Sequence, residues 1–381
     1  MPFHMFNRRF TLLTLCGLSL VACANPATPP AVTLSTQTPL TVAFDIPTAT
    51  TLPTATALPT ATTVPTTTST PVPTATPFGA SSAVTGENSF ARGAITARPW
   101  MVMIDNHPDA YPQSGMDRAS MVFEGLAEYG LTRFIALYQD DGTGEIGEIG
   151  PVRSTRLYFA QWAMGFHPIY AHAGGSPDGV QLVESTDQLI NFEALRQPRY
   201  TWRDATRIAP HNLYTNATML RSFARDKAVP AYDESDIGYL FDNILAASPV
   251  ETSQLDYFFL DTGSRAGFRY DAVTNGYYRV MRGRPHVDRI TGQQLWTRNV
   301  VVMQVNEATR PGDDKQRIDQ EVIGSGPARV FLAGRSLDVT WRKERADMPL
   351  RFYDANDVEV VFNAGPIWIA AIPTMDRLTT Q

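Results

Sequence analysis

Residues 100–128 read WMVMIDNHPDAYPQSGMDRASMVFEGLAE. A short apolar run, Trp100 to Ile104, stops abruptly at Asp105, Asn106 and His107. A turn-rich segment with Pro108, Pro112, Ser114 and Gly115 follows, and a second apolar run leads to Glu124 and Glu128. Apolar runs of this length, bounded by Pro, Gly, Asn and Asp, predict buried strands. Polar groups at the end of a buried strand suit a functional site, because the sheet fixes them while the loop leaves them accessible.

Residues 121–128 and 131–138 read as two strands with Gly130 between them, a hairpin pattern. The aromatic-rich residues 157–166 fit a buried helix that Ser154 or Thr155 caps. Residues 168–177, PIYAHAGGSP, read as strand, glycine turn and helix start, with the helix continuing over 181–189. Residues 201–212, TWRDATRIAPHN, form a polar loop, and a helix over 215–226 starts at Thr215 or Asn216. This portion, residues 92–245, is expected to be an α+β or α/β domain, with parallel and antiparallel pairing both open. From residue 246 to 381 short β segments recur with turns such as Thr274-Asn275-Gly276, which predicts a mainly β second domain.

The 381-residue chain opens with Arg8, Arg9 and an apolar run over residues 10–22, too short for a stable span and fitting a secretory signal. Leu20-Val21-Ala22-Cys23 resembles a bacterial lipoprotein box, in which the cysteine is acylated. Lipidation is therefore expected at Cys23, after a signal peptide of residues 1–22. The other cysteine, Cys16, would leave with the signal, which excludes thiol catalysis and thiolate metal sites. Residues 23–91 are rich in Pro and Thr, as in TATTVPTTTSTPVPTATP at 60–77, and predict a disordered linker. At ~3.1 Å per residue, such a stalk reaches up to roughly 200 Å. Without Arg8 and Arg9, 30 basic residues face 38 acidic ones. That balance argues against a nucleic-acid partner, which needs a concentrated basic face.

Several motifs carry a family likeness. MIDNHPxAxPQSG at 103–115, GPVRS at 150–154, HAGGS at 172–176, WRD at 202–204 and APHNLY at 209–214 together resemble the YerB-like lipoprotein family. NVVV at 299–302 and RFYDAN at 351–356 resemble its second domain. The resemblance implies a two-domain, membrane-anchored, extracytoplasmic protein. It implies no established activity.

The chemistry is left to the residues. Asp105, Glu124, His172 and His211 are the candidates for acid–base work, with the raised pKa of a partly apolar pocket suited to Glu124. Asp105, His107, His172 and His211 also offer metal-type ligands, but three loops would have to converge, and no metal or cofactor is assigned. Ser176 reads either as an anion-facing turn residue or as a helix N-cap before Pro177. Arg153, Arg156 and Arg207, with His172, suit a carboxylate or phosphate. His107, Ser176, Arg203, Asp204 and Asn212 complete the ligand-binding candidates. The same arginines, with Arg133, can instead pair with Asp105, Glu124, Glu128 and Asp204 in a structural lattice. Two readings follow. One is a binding or scaffold lipoprotein whose polar pocket meets a cell-wall glycan, an anionic ligand or an envelope protein. The other is a hydrolase or lyase acting on a cell-wall or glycan polymer.

Overall fold

A computed structural model describes residues 89–381, except 96, 141–144, 233–236 and 261–264. The expected signal, Cys23 and most of the linker lie outside the described residues. The opening stretch yields β1 (Trp100–Asp105) and β2 (Met121–Leu126), both buried at every position. The hairpin partner is β3 (Thr132–Tyr138), which pairs antiparallel with both. β4 (Ile169–His172) lies parallel to β1, and β5 (Ile190–Glu193) lies parallel to β4.

The continuous apolar runs have a simple cause. Side chains alternate across a strand, so a run with no polar alternation needs a core on each face. Trp100, Val102, Ile104, Val122, Phe134 and Ala136 enter one core, and Met101, Met103, Met121, Phe123, Ile135 and Leu137 enter the other. The first core also takes Leu255, Tyr257, Phe268 and Tyr277 from a second, six-stranded sheet, and Leu220 and Phe223 from α3 (Ala217–Asp226). The second takes Tyr158, Phe159 and Trp162 from α1 (Leu157–Met164) and Val183 from α2 (Pro177–Ser185).

The carboxy-terminal portion is mainly β, as expected; it builds the six-stranded sheet alone but shares the main sheet with the amino-terminal portion. The main sheet has ten strands, and five come from each side of residue 245. The join is parallel pairing of β2 with Ile367–Ile372, from Met121 opposite Ile367 to Glu124 opposite Ala370. Backbone hydrogen bonds therefore cross the sequence boundary.

Local details both follow and depart from the sequence. Ser176 caps α2, its hydroxyl accepting from the Gly179 N–H at 3.3 Å, with Pro177 at the first helical position. Asn216 caps α3 by accepting from the Met219 N–H at 2.8 Å. The helix expected to reach residue 189 ends at Ser185 instead. Thr186 turns extended, its hydroxyl accepts from the Gln188 N–H, and Ile190 starts β5. The polar loop 201–212 begins with a short strand, Trp202–Arg203, paired to Leu213–Tyr214. Phe90 and Ala91, placed by sequence at the end of the linker, are buried, with Phe90 edge-on to Phe166.

Candidate functional site

β1 delivers Asp105 to the rim of the sheet, where its backbone N–H is held by the Pro151 carbonyl at 3.0 Å. Asp105 Oδ1 accepts from the His107 N–H at 3.1 Å, a turn that Asp favours. Its other oxygen accepts from His211 Nδ1 at 2.7 Å. A carboxylate oxygen accepts this bond, so Nδ1 is the donor, and the other ring nitrogen, Nε2, makes no hydrogen bond among the described residues. Arg153 Nε lies 3.1 Å from the same Asp105 oxygen, close enough to pair its charge but not aligned as a hydrogen bond. The His107 ring stacks on His211, with centroids 4.2 Å apart and planes 15° from parallel.

The loop carrying His211 is fastened from within. Arg203 Nη1 donates to Asn212 Oδ1 at 2.7 Å, and Asn212 Nδ2 donates to the carbonyls of Asp204 and Arg207, each at 3.1 Å. Arg207 donates to the Ala110 and Pro112 carbonyls, both at 2.6 Å, tying this loop to the one after β1. Asp204 pairs with Arg289 at 2.6 Å. Its carboxyl is lowered to about 2, first by the Thr206 hydroxyl and N–H and then by Arg289. Arg203 and Arg207 thus bond to Asn212 and to backbone carbonyls rather than to the acids expected from sequence, while Asp204 takes Arg289, and together these contacts fix the position of His211.

A second acid–arginine set faces the same space. Arg156 forks onto both Glu128 oxygens, with Nη2 to Oε2 at 2.6 Å, and Arg133 Nη2 lies 3.4 Å from Oε2. Burial disfavours the Glu128 carboxylate, but the Arg156 hydrogen bonds and both guanidinium charges outweigh it and hold the carboxyl below its ordinary range. Burial, then the Arg156 charge, lowers the Arg133 guanidinium to about 10.

These groups line an open cleft of about 520 Å³. Its walls carry Arg133, Arg153, Arg156, Lys315 and Arg317 against Asp105 and Glu128, in a chain whose net charge is −6. His107, Tyr129, Thr132, Ser154 and His211 share the lining. Tyr129 is 63% exposed and left-handed, at φ 58°. In a second hollow of about 450 Å³, Arg345 pairs with Asp347 at 2.9 Å and Arg342 with Asp357 at 2.5 Å.

Beneath the cleft runs a closed ring of six side chains. Arg279 Nη2 donates to both Glu124 oxygens at 2.9 and 2.8 Å. Thr132 Oγ1 donates to Glu124 at 3.2 Å and accepts from Asn106 Nδ2 at 2.6 Å. Gln113 Nε2 donates to Asn106 Oδ1 at 3.1 Å, and Gln113 Oε1 meets His286 Nε2 at 2.8 Å. Arg279 Nε closes the ring on His286 Nδ1 at 3.3 Å. Burial, then Arg279 and Arg282, push His286 well below its ordinary pKa, so the ring is neutral. Its Nε2 donates and its Nδ1 accepts, and every bond in the ring has a consistent direction.

Of the four acid–base candidates, the structure brings Asp105 and His211 together. Glu124 is buried, accepting from Arg279, Tyr257 and Trp368. Its apolar neighbours on the strand signal the sheet interior rather than a pocket wall. His172 is also buried, at the end of β4, with Nδ1 2.9 Å from the Gly174 carbonyl and Nε2 3.1 Å from Asn191 Oδ1. Ser176 is the cap of α2 and is buried. Arg156 and Arg153 do line the cleft, as does His107. Lys315 and Arg317 reach the cleft from the far half of the chain, where no local motif marks them. Tyr129 was hidden in the hairpin turn.

The chain matches the family models for the N-terminal domain, over residues 84–230, and the C-terminal domain, over residues 255–369, of "Protein of unknown function (DUF3048)". Bacillus subtilis (strain 168) has a relative, YerB, that carries the name of a lipoprotein. It is 29% identical over 287 residues, which span 73% of this chain and 82% of that protein. The crystal structure of Bacillus subtilis YerB superposes with a TM-score of 0.67 at 26% identity, covering 75% of this chain and 94% of that one. The expected likeness thus holds in both halves and in the fold, and the chain belongs to the YerB-like family of two-domain proteins.

Proposed function

We propose that this protein is an envelope lipoprotein, anchored through Cys23, that binds an anionic group of a cell-wall polymer or envelope partner in the arginine-lined cleft. The supporting observation is that five cationic side chains and two carboxylates line one open surface of an acidic chain, with Arg317 also paired to Asp313 at 2.8 Å. Glu128 and Asp105 pre-order Arg156 and Arg153, so less side-chain freedom is lost when an anion arrives. Guanidinium forks suit carboxylate and phosphate oxygens, and Tyr129 at the rim offers an exposed ring for a sugar face. Retention of the full-length chain on purified cell-wall sacculi, compared with an Arg153→Ala, Lys315→Glu variant, tests the binding. Mass spectrometry of the amino-terminal peptide tests the anchor; an unmodified Cys23 would refute it.

A specific observation also favours the catalytic reading. His211 Nε2 is left available by the 2.7 Å bond from Nδ1 to Asp105, the arrangement of a histidine general base. In that reading Asp105 orients His211, Arg153 holds the anionic group, and Glu124 and His172 serve the scaffold. Release of soluble fragments from sacculi by the wild type, lost in His211→Ala, supports it. No release by either protein rejects it.

A further inference from the structure

We infer that His107, Asp109 and His211 form a binding site for a divalent transition-metal ion of the zinc class at the lip of the cleft. The ligand atoms of these three residues lie within 4.8 Å of one another. Two ligands on one tetrahedral zinc-class ion, each at ~2.1 Å, are about 3.4 Å apart, so the set has to draw in by up to roughly 1.4 Å. The side chains divide that task unequally. His211 is pinned through Nδ1 by Asp105 at 2.7 Å, which leaves Nε2 as its free ring nitrogen among the described residues. The His107 side chain is 34% exposed and that of Asp109 is 65% exposed, so both have room to move. Splaying the stacked His107 ring from His211 and giving up its 3.2 Å bond from the Asp109 N–H is a small rearrangement.

The surroundings select the ion. A carboxylate accepting from the far nitrogen of a ligating histidine is the usual outer support of such sites, fixing the tautomer and raising ligand basicity. Asp105 stands in that position. Arg153 beside Asp105, and Arg133 opposite it at the end of β3, create a positive field that weakens cation binding. Hard ions held by charge and oxygen, such as Mg²⁺ or Ca²⁺, are therefore disfavoured. Two imidazoles favour a nitrogen-seeking ion instead. Three protein ligands leave a position open for water or an anionic group in the cleft. The earlier set of metal-type candidates changes accordingly, with Asp109 replacing the buried His172 and Asp105 moving to the support role. This inference does not depend on the anion-binding reading.

The test is titration of the full-length chain with Co²⁺, read by visible absorption, and with Zn²⁺, read by calorimetry. Cys16 and Cys23 are common to all variants, so a difference between variants reports the histidines. One ion bound at this site is expected, with no competition from millimolar Mg²⁺. His107→Ala, which alters an accessible side chain, should cost at least ~10-fold in affinity, and Asp105→Asn should cost about 10–100-fold. Unchanged binding in the His107→Ala, His211→Ala double variant overturns the inference. So does the absence of binding by the wild type at millimolar ion.

Discussion

Arg279 and Glu124 form a fully buried ion pair, 2.8 Å at its closest, between the second sheet and β2 of the main sheet. The pair belongs to the six-membered polar ring under the cleft, so it couples the packing of the two sequence halves to the position of Asn106 and Thr132. Removing one partner strands the other charge in a core. Arg279→Met is expected to destabilise the protein by about 3–5 kcal/mol. Glu124→Gln together with Arg279→Met should cost less than the two single changes summed, because the orphaned charge disappears. Urea unfolding of the three variants measures the difference; strict additivity would show that the pair is not coupled.

Gly115 occupies φ +80°, and a Cβ there would lie 2.5 Å from the Glu148 carbonyl oxygen. Relieving that contact shifts backbone, either the loop after β1 that carries His107 or the segment that carries Glu148. Gly115→Ala is expected to lower stability by about 1–3 kcal/mol, combining left-handed strain with the clash. Thermal unfolding measures the loss. A variant as stable as the wild type would show that the turn adapts freely.

Tyr129 pulls stability and function in opposite directions. Its left-handed backbone suits glycine, while its exposed ring packs little. Tyr129→Gly should leave stability unchanged or raise it by up to about 1 kcal/mol. The same change should weaken retention on sacculi, since the stacking surface is lost. Equal retention would remove Tyr129 from the proposed contact.

Asp117 gives a pH signature. Burial, then the Asp288 charge, raises its carboxyl from 3.8 to about 6. The folded state therefore binds this proton more tightly than the unfolded chain does. The resulting stabilisation is fully present below pH 3.8 and is lost as pH rises through about 6. Asp117→Asn should be more stable than the wild type at pH 7 by about 1–3 kcal/mol, with the advantage vanishing toward pH 4. Chemical unfolding at both pH values measures this. An advantage independent of pH would assign it to another cause.

The elements that sequence made legible are those set by local rules. The all-apolar β1 and β2, the glycine-containing hairpin turn before β3, and the Ser176 and Asn216 caps are all decided within a few residues. What depended on distant partners was not legible. Glu124 looked like a pocket acid because its partners, Arg279, Tyr257 and Trp368, lie more than a hundred positions away. His172 looked exposed at a glycine turn, yet β5 covers it with Asn191. The pairing of β2 with Ile367–Ile372 likewise joins the two ends of the folded region, which no boundary drawn along the chain anticipates.

The most direct measurement is retention of the full-length chain on purified sacculi at low and high salt, beside the Arg153→Ala, Lys315→Glu variant. A charge-based contact is screened within a Debye length, about 10 Å at 0.1 M salt, so wild-type retention should fall steeply as salt rises. The variant should already bind at least ~10-fold more weakly at low salt. Retention that neither salt nor the variant alters, or no retention by the wild type, would contradict a cleft built to hold an anionic envelope group.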